Sequence, residues 1–215
     1  MENKFELGIE EVIGSKHYRA FVGPPEKYDT ISAHQFNLLT SKGLREHHYL
    51  LDIGCGSLRS GRLFIPYLLP KRYFGIEPEQ WLIDEGIKNN LGQDLIKIKS
   101  PSFNNNSDFL LSIFNQNFDY ILAYSIFSHA TKNQIIKCIT EASKIMKDDS
   151  KFFASFFMGN KNHDGDKWVY PGKTEYTIDF IKNIAENQGL ECEMLEIEHP
   201  TEQTWIEMSK RKEEK

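Results

Sequence analysis

The sequence lacks any apolar run long enough to cross a membrane. A spanning helix needs roughly 18 or more consecutive apolar residues, and no stretch approaches that length. The N-terminal stretch MENKFELGIEEV is acidic and mixed, unlike a signal peptide. Of 215 residues, 40% are hydrophobic and 27% charged, which is typical of a globular chain with a sizeable core. We expect a soluble, cytoplasmic protein with no membrane partner.

Cysteine and clustered basic residues are also scarce. The three cysteines, Cys55, Cys138 and Cys192, are odd in number and lack C-x-x-C spacing, which argues against a disulfide framework and a zinc site. No group of Asp, Glu or His has metal-ligand spacing, so we expect no metal. Asp and Glu outnumber Lys and Arg by 31 to 26, and the basic run at 210–212 is followed by two glutamates. Because nucleic-acid-binding proteins normally present a basic face, we expect no nucleic-acid partner.

The chain does contain an alternation of strand-like and helix-like segments from residue 49 onward. Strands are predicted over YLLDIG (49–54), YFGIEP (73–78), DLIKIKS (94–100), FDYILAYS (118–125), SKFFASFFM (150–158), ECEMLEIE (191–198) and TWIEMSK (204–210). Helices are predicted over RLFIPYLLP (62–70), EQWLIDEGIKNN (79–90), a segment from Thr131, and TIDFIKNIAENQGL (177–190). This order predicts an α/β fold with a doubly wound, mostly parallel sheet of seven strands that ends in an antiparallel hairpin.

Local signals refine two helices and a loop. Thr131 and Gln134 form a capping box at the start of one helix, and Gly189 occupies the stop position of the last. SPSFNNNSD (100–108) is predicted to be a polar loop. The apolar face of the helix from Thr131 is predicted to comprise Ile135, Ile136, Ile139, Ala142, Ile145 and Met146.

The first 48 residues lie outside this alternation. DTISAHQFNLLTSKGLREHH (29–48) is predicted to be a helix capped by Asp29 or Thr30, and the breaker Gly-Pro-Pro at 23–25 precedes it. We therefore predict an N-terminal helical segment over residues 1–48 and a main domain over 49–215. The N-terminal segment either packs on the sheet or covers a site as a lid.

A glycine turn follows the first predicted strand. In DIGCGS, Gly54 and Gly56 lack a Cβ, which lets a ligand approach the backbone and lets the chain adopt positive φ. Glu77 ends the next strand, 21 residues after Gly56, at the spacing of an acidic residue that accepts hydrogen bonds from a ribose diol. The two features together predict a nucleoside-bearing ligand.

The residue before the turn bears on which nucleoside is bound. A dinucleotide site usually has a third glycine, absent here at that spacing, and Asp52 would repel a bound pyrophosphate. Asp52 suits a cationic ligand with an ammonium or sulfonium group. A nicotinamide-dependent oxidoreductase built on the same type of sheet stays open as an alternative, and a cofactor-binding assay separates the two.

The segment LLDIGCGSLRSG (50–61) resembles motif I of class I S-adenosylmethionine (SAM)-dependent methyltransferases, and FGIEP (74–78) resembles their next motif. NSDFLLSIFNQNFDYILAYSIFSH (106–129) is similar to the later motifs, and the likeness extends over about 49–210. It implies a Rossmann-like methyltransferase fold, SAM as cofactor and S-adenosylhomocysteine (SAH) as product. The cofactor contacts that it implies are Asp52, Gly54, Gly56, Glu77, Pro78, Asp108, Phe109 and Tyr124.

The same resemblance directs attention to residues on the substrate side. His129, just beyond the fourth predicted parallel strand, is the candidate general base, since the pKa of histidine suits proton transfer near pH 7. The competing interpretation is that His129 only packs at a helix start. Loops at the carboxyl ends of strands and the N-terminal segment supply the substrate candidates Tyr18, Arg19, Tyr28, Arg59, His163, Tyr170 and Lys173.

The segment 43–69 is also similar to small bacterial methyltransferases of capsule and surface-glycan pathways. The expected function is methyl transfer to a small polar metabolite, including O-methylation of a sugar or of a phosphate or phosphoramidate group. A degenerate methyltransferase that binds SAM without turnover is a further alternative, which activity on the true acceptor distinguishes. The acceptor atom and the oligomeric state stay open, because the fold does not fix either.

Overall fold

The structure is a computed structural model that describes residues 7–211. The start of the predicted N-terminal segment (1–48) and the end of the predicted main domain (49–215) lie outside the described residues. Within that range it is a mixed α/β fold with a mostly parallel sheet of eight strands, which confirms the predicted fold class. The strands are β1 (Leu50–Ile53), β2 (Tyr73–Ile76), β3 (Ser102–Asn104), β4 (Phe118–Ala123), β5 (Met146–Met158), β6 (Glu175–Tyr176), β7 (Leu190–Leu195) and β8 (Thr204–Lys210). The α-helices are α1 (Tyr28–Ser41), α2 (Gly61–Tyr67), α3 (Gln80–Gly86), α4 (Gln93–Lys99), α5 (Lys132–Ile145) and α6 (Ile178–Asn187).

Two compact units divide the described chain. The first unit holds residues 7–48 and 54–105, and the second holds residues 49–53 and 106–211. In the first unit, β2 and β3 pair in parallel, with Gly75 opposite Phe103. Tyr28 of α1 and Phe64 of α2 are both fully buried in its core. The predicted boundary at residue 48 stays a prediction.

The second unit contains β1, β4 and β5 in parallel order, followed by β8 and β7 as antiparallel neighbours. The predicted C-terminal hairpin is therefore confirmed, with β8 between β5 and β7. The register places Asp52 of β1 opposite Leu122 of β4, and Leu122 opposite Phe153 of β5. Because parallel neighbours end on the same side, the chain leaves β1 and β4 at one edge of the sheet.

The predicted strand DLIKIKS is wrong. Residues 93–99 form helix α4, and the strand β3 lies within the segment predicted to be a polar loop. A short apolar alternation cannot distinguish strand from helix, and the charges at the ends favour the helix. Asp94 lies in its first turn, with Lys97 and Lys99 in its last, as the helix dipole favours.

The ends of three other helices also differ from expectation. Helix α1 starts after Lys27 without a side-chain cap, and Asp29, one of the two predicted caps, is instead paired with Arg62 at 2.6 Å. Helix α2 ends at Tyr67, before Pro70, because Pro66 already occupies its last turn. Helix α3 continues as a π-helical turn over Ile87–Leu91.

The capping box of α5 is confirmed and supports a stability prediction. The Thr131 hydroxyl accepts a hydrogen bond from Gln134 N (3.2 Å), and Thr131 N donates to Gln134 Oε1 (2.9 Å). We expect Thr131→Ala to lower the free energy of unfolding by about 1 kcal/mol, measured by chemical denaturation, because the cap is lost. Asn133→Ala, at an exposed position of the same turn, is the control; equal losses in both variants would contradict the capping role.

Ile136, which was predicted to lie on the buried apolar face of α5, has 40% of its surface exposed.

Candidate functional site

The glycine turn after β1 is tied to the end of β2. Gly54 N and Cys55 N both donate to the Ile76 carbonyl oxygen, at 2.8 and 3.1 Å. Gly54 and Gly56 have φ of +70° and +54°, in the left-handed region that glycine adopts without strain. The turn is thus held in place by backbone hydrogen bonds, and both glycines adopt the positive φ that was predicted for them.

Glu77 is bonded to the same turn through its side chain. Its Oε2 accepts a hydrogen bond from Gly56 N (2.9 Å), and its Oε1 accepts one from Glu79 N (3.0 Å). Its backbone is fixed by Asn104 O, which accepts from Glu77 N (3.0 Å), and by Asn105 Nδ2, which donates to Glu77 O (2.7 Å). Glu77 is only 8% exposed. An ionised carboxylate only accepts hydrogen bonds, so its natural ligands are donors such as hydroxyl groups.

Asp52 and Pro78 flank these elements in the chain. Asp52 lies on β1 and is 3% exposed, as is expected for a strand buried on both faces. Pro78 follows Glu77 and is exposed. Their predicted contacts with a cofactor stay predictions.

Part of the N-terminal segment packs directly on the glycine turn. A Cβ added to Gly56 would lie 2.7 Å from Val22 Cγ1, so the absence of a side chain admits Val22. Arg59 Nη1 donates to Val22 O (2.8 Å), and the Phe21 ring meets Trp81 of α3 edge-on at 5.2 Å. Gly56 is therefore required for packing of the N-terminal segment as well as for the shape of the turn.

This packing predicts the effect of Gly56→Ala. A Cβ at φ +54° brings backbone strain of about 1–2 kcal/mol, and the collision with Val22 adds about 1–3 kcal/mol of overpacking. Gly189→Ala is the control, because its φ is +73° but no atom lies within 4 Å of an added Cβ. We expect thermal unfolding to show a larger loss for Gly56→Ala, with partial recovery in Val22→Ala/Gly56→Ala. Equal losses at Gly56 and Gly189 would rule out the Val22 contact.

Four predicted substrate residues of the first unit form one cluster beside the turn. Tyr28 is fully buried, its hydroxyl donates to Ser57 O (3.1 Å), and burial raises the pKa of Tyr28. The Arg19 guanidinium lies 4.7 Å from the centre of the Tyr28 ring and donates to the Tyr18 hydroxyl (3.1 Å). Arg59 is 8% exposed. Tyr28 and Arg59 thus hold the N-terminal segment on the turn.

An open cleft of about 960 Å³ adjoins this cluster. Tyr18 and Arg19 line one side and Trp81 of α3 lines another. The remaining lining residues are Leu7, Lys16, His17, Asp84, Glu85 and Asn89.

In the second unit, the carboxyl end of β4 carries a buried polar ring. Ser125 N donates to Ser155 Oγ (2.8 Å), Ser155 Oγ donates to Gln203 Oε1 (2.9 Å), and Gln203 Nε2 donates to Ser125 Oγ. Ser125 has φ of +58°, a strained conformation for a non-glycine residue. Tyr124, just before it, is buried and stacks on His199 with ring centres 4.9 Å apart.

Sequence reasoning missed this ring. Gln203 is 78 residues from Ser125 and 48 from Ser155, so no local spacing relates them. The one available signal is the polar Ser155 within the aromatic strand SKFFASFFM, since a polar residue in a buried strand needs a partner.

His129 is half-buried beyond β4, with its Nδ1 2.7 Å from the Gly172 carbonyl oxygen. A carbonyl only accepts, so Nδ1 carries the proton and the lone pair of neutral His129 is on Nε2. Burial lowers the pKa of His129, and the bond to Gly172 opposes that effect. At neutral pH His129 is therefore an uncharged imidazole able to accept a proton at Nε2.

The segment after β5 is hydrogen-bonded to the backbone at His129 and Ala130. Val169 N donates to His129 O (3.0 Å), and Tyr176 Oη donates to Ala130 O (2.6 Å). The Tyr170 ring meets the His129 ring edge-on at 4.9 Å, and the Trp168 ring lies 5.7 Å away. The structure thus brings the predicted residues His129 and Tyr170 together.

The other predicted residues of the second unit have separate environments. His163 N donates to Glu175 O (3.0 Å), while Lys173 is exposed and its ammonium lies 3.6 Å from the Glu175 carboxylate. Asp108 is exposed beside Lys137 (3.1 Å), whose hydrogen bond lowers the pKa of Asp108. Phe109 is half-buried with φ of +57°.

Residues 7–211 contain neither a membrane-spanning helix nor a cluster of metal-ligating side chains. None of the helices there is long and apolar enough to span a bilayer. No three His, Cys, Asp or Glu side chains in that range are grouped so that they could hold a metal ion.

Comparisons with known proteins support the fold. No family model and no curated protein matches the chain. Magnesium protoporphyrin IX methyltransferase (ChlM) from Synechocystis PCC 6803, crystallised with SAM, is similar with a TM-score of 0.66 at 13% identity, over 98% of this chain and 92% of that one. DesVI from Streptomyces venezuelae has a TM-score of 0.64 at 12% identity, over 89% and 95% of the two chains.

A SAM-dependent methyltransferase from Clostridium acetobutylicum ATCC 824 is similar with a TM-score of 0.59 at 14% identity, over 85% of this chain and 92% of that one. At such identities the likeness establishes the fold alone.

Proposed function

We propose that the protein is a SAM-dependent methyltransferase that acts on a small polar metabolite. The observation that carries this proposal is the buried Glu77 carboxylate, an acceptor-only group that is hydrogen-bonded to the glycine turn, where a ribose diol needs an acceptor. The fold shared with SAM-bound ChlM supports the same cofactor.

The residues of the chain fit this cofactor. Gly54 and Gly56 would lie against its methionine end and ribose, Glu77 would accept from the ribose hydroxyls, and the buried Asp52 suits a positive charge. Asp108 and Phe109 at the adenine, and Pro78 and Tyr124 as further contacts, rest on the resemblance to the family. When bound, SAM supplies a methyl group activated by a sulfonium.

His129 is proposed to accept the proton of the acceptor group at Nε2. Its bond to Gly172 fixes the tautomer, and its lowered pKa keeps it neutral at pH 7. The pairing of β1 with β4 supports this role, because the chain leaves both strands at the same edge of the sheet, toward Gly54 and toward Tyr124.

The predicted substrate residues form two separate sets of candidates for contact with the acceptor, one in each unit. Tyr18 and Arg19, which line the open cleft, are the candidates from the first unit, with Tyr28 and Arg59 behind them. The candidates from the second unit are His163, Tyr170 and Lys173. A role in capsule or surface-glycan modification, on a sugar, phosphate or phosphoramidate group, rests on the resemblance of segment 43–69 alone.

Calorimetric titration of the purified chain with SAM, SAH and NAD in parallel tests the cofactor. We expect SAM and SAH to bind and NAD to give no heat, because Asp52 disfavours a pyrophosphate. Binding of NAD alone would indicate an oxidoreductase. SAM binding without methyl transfer to any acceptor would indicate a non-catalytic module.

A further inference from the structure

Trp168 is a large aromatic side chain left in contact with solvent beside the candidate base. It is 42% exposed, and the centre of its ring lies 5.7 Å from that of the His129 ring. A single exposed aromatic residue carries no meaning by itself. Here, however, Tyr170 also meets His129, so two aromatic rings lie against the imidazole proposed to accept a proton.

The backbone around these rings is held by hydrogen bonds from residues that follow Trp168 in the chain. Val169 N donates to His129 O (3.0 Å), and Thr174 N donates to Ser128 O (2.7 Å). Thr174 Oγ1 donates to Phe127 O (3.2 Å), and Tyr176 Oη donates to Ala130 O (2.6 Å). Such anchoring fixes the Trp168 segment relative to His129 before any ligand arrives, which lowers the entropic cost of binding.

The charges around Trp168 nearly cancel. Asp164 forms an ion pair with Lys132, and Glu175 lies 3.6 Å from Lys173. Residues 160–175 as a whole contain three lysines and three acidic residues, so the segment carries no formal net charge; these residues are Lys161, Lys167, Lys173, Asp164, Asp166 and Glu175. It therefore fits an uncharged ligand better than a free phosphate or a quaternary amine.

The polar residues that precede Trp168 favour a ligand with several hydroxyl groups. The segment NKNHDGDK, at 160–167, is rich in side chains that donate or accept hydrogen bonds, and six of its residues are exposed. A flat indole beside such a segment matches a sugar ring, which has apolar C–H faces and a rim of hydroxyls. A phenol would need far fewer polar partners.

From this arrangement we infer that Trp168 and Tyr170 form the acceptor subsite and that the acceptor is an uncharged sugar ring, stacked on Trp168 with a hydroxyl directed to His129 Nε2. The inference rests on the proposed function and selects one acceptor class from within it. It assigns Trp168 as a specificity-determining residue.

Saturation-transfer NMR, in the absence of cofactor, measures the binding of methyl β-D-glucopyranoside and tests the inference. We expect binding to wild-type protein, a loss of about tenfold in Trp168→Ala, and partial retention in Trp168→Phe, which keeps an aromatic face. Trp81→Ala is the matched control, because Trp81 is a partly exposed tryptophan in the cleft of the first unit.

Two results would overturn the assignment. Loss of sugar binding in Trp81→Ala but not in Trp168→Ala would place the acceptor in the other cleft. Binding of phenol, choline or inorganic phosphate in place of the sugar would reject the acceptor class. Titration of the same samples with SAH reports the proposed function separately, so a protein that binds SAH but no sugar refutes only this inference.

Discussion

Glu77→Ala is expected to lower the affinity for SAH by about 10- to 150-fold for each hydrogen bond to the carboxylate that is lost. In the proposed complex the charged Glu77 carboxylate accepts hydrogen bonds from the ribose diol, and alanine has no side-chain group that could replace it. The same change also removes the acceptor of two backbone hydrogen bonds, which Gly56 N and Glu79 N donate to the carboxylate at 2.9 and 3.0 Å. Calorimetric titration with SAH measures the effect.

Two controls separate binding from folding. Asp94→Ala removes an exposed carboxylate from α4 in the same unit and should leave SAH affinity unchanged. Glu77→Gln keeps a similar volume and an acceptor oxygen, and should bind SAH with intermediate affinity. If Glu77→Ala binds SAH as tightly as wild-type protein, Glu77 does not hold the ribose.

His129→Ala is expected to reduce methyl transfer by about 10²- to 10⁴-fold while SAH affinity stays unchanged. The imidazole is proposed to act on the acceptor and not on the cofactor, so the loss belongs to the rate of transfer. His47→Ala is the control, because His47 is exposed and its ring contacts His48. Unchanged rates in His129→Ala on the true acceptor would leave His129 with a packing role only.

The pH profile provides a second test of His129. Burial disfavours the charged imidazolium, so the pKa of His129 in the folded protein lies below its ordinary value of 6.5. The neutral form is the base, and the rate should rise with pH through that lowered pKa and be level at pH 7. Protonation favours the unfolded chain, so the stability that this group contributes is lost as pH falls below 6.5. A rate that increases toward acidic pH would contradict the assignment.

The parts of the site that follow from sequence are those encoded locally. Gly54, Gly56 and Glu77 were predicted from their spacing, and in the structure Gly56 N donates to the Glu77 carboxylate. Strand β8 has the predicted bounds, Thr204–Lys210, because its alternating pattern matches a strand with two different faces. The capping box of α5 is a local signal of the same kind.

The parts that do not follow depend on partners distant in sequence. The Asp29 carboxylate looked like a helix cap, but Arg62 pairs with it across 33 positions. The role of Gly56 in admitting Val22 requires the N-terminal segment to fold back on the turn. The hydrogen bond from His129 to Gly172 spans 43 positions and fixes the tautomer, which no sequence pattern specifies.

A crystal structure of the chain with SAH would show directly whether the glycine turn binds the cofactor. We expect both ribose hydroxyls to lie within hydrogen-bonding distance of the Glu77 carboxylate, with the methionine portion against Gly54 and Gly56. We also expect the hydrogen bond from Gly56 N to Glu77 to persist. SAH bound elsewhere, or a ribose with no contact to Glu77, would contradict the proposal that this glycine turn is a cofactor site.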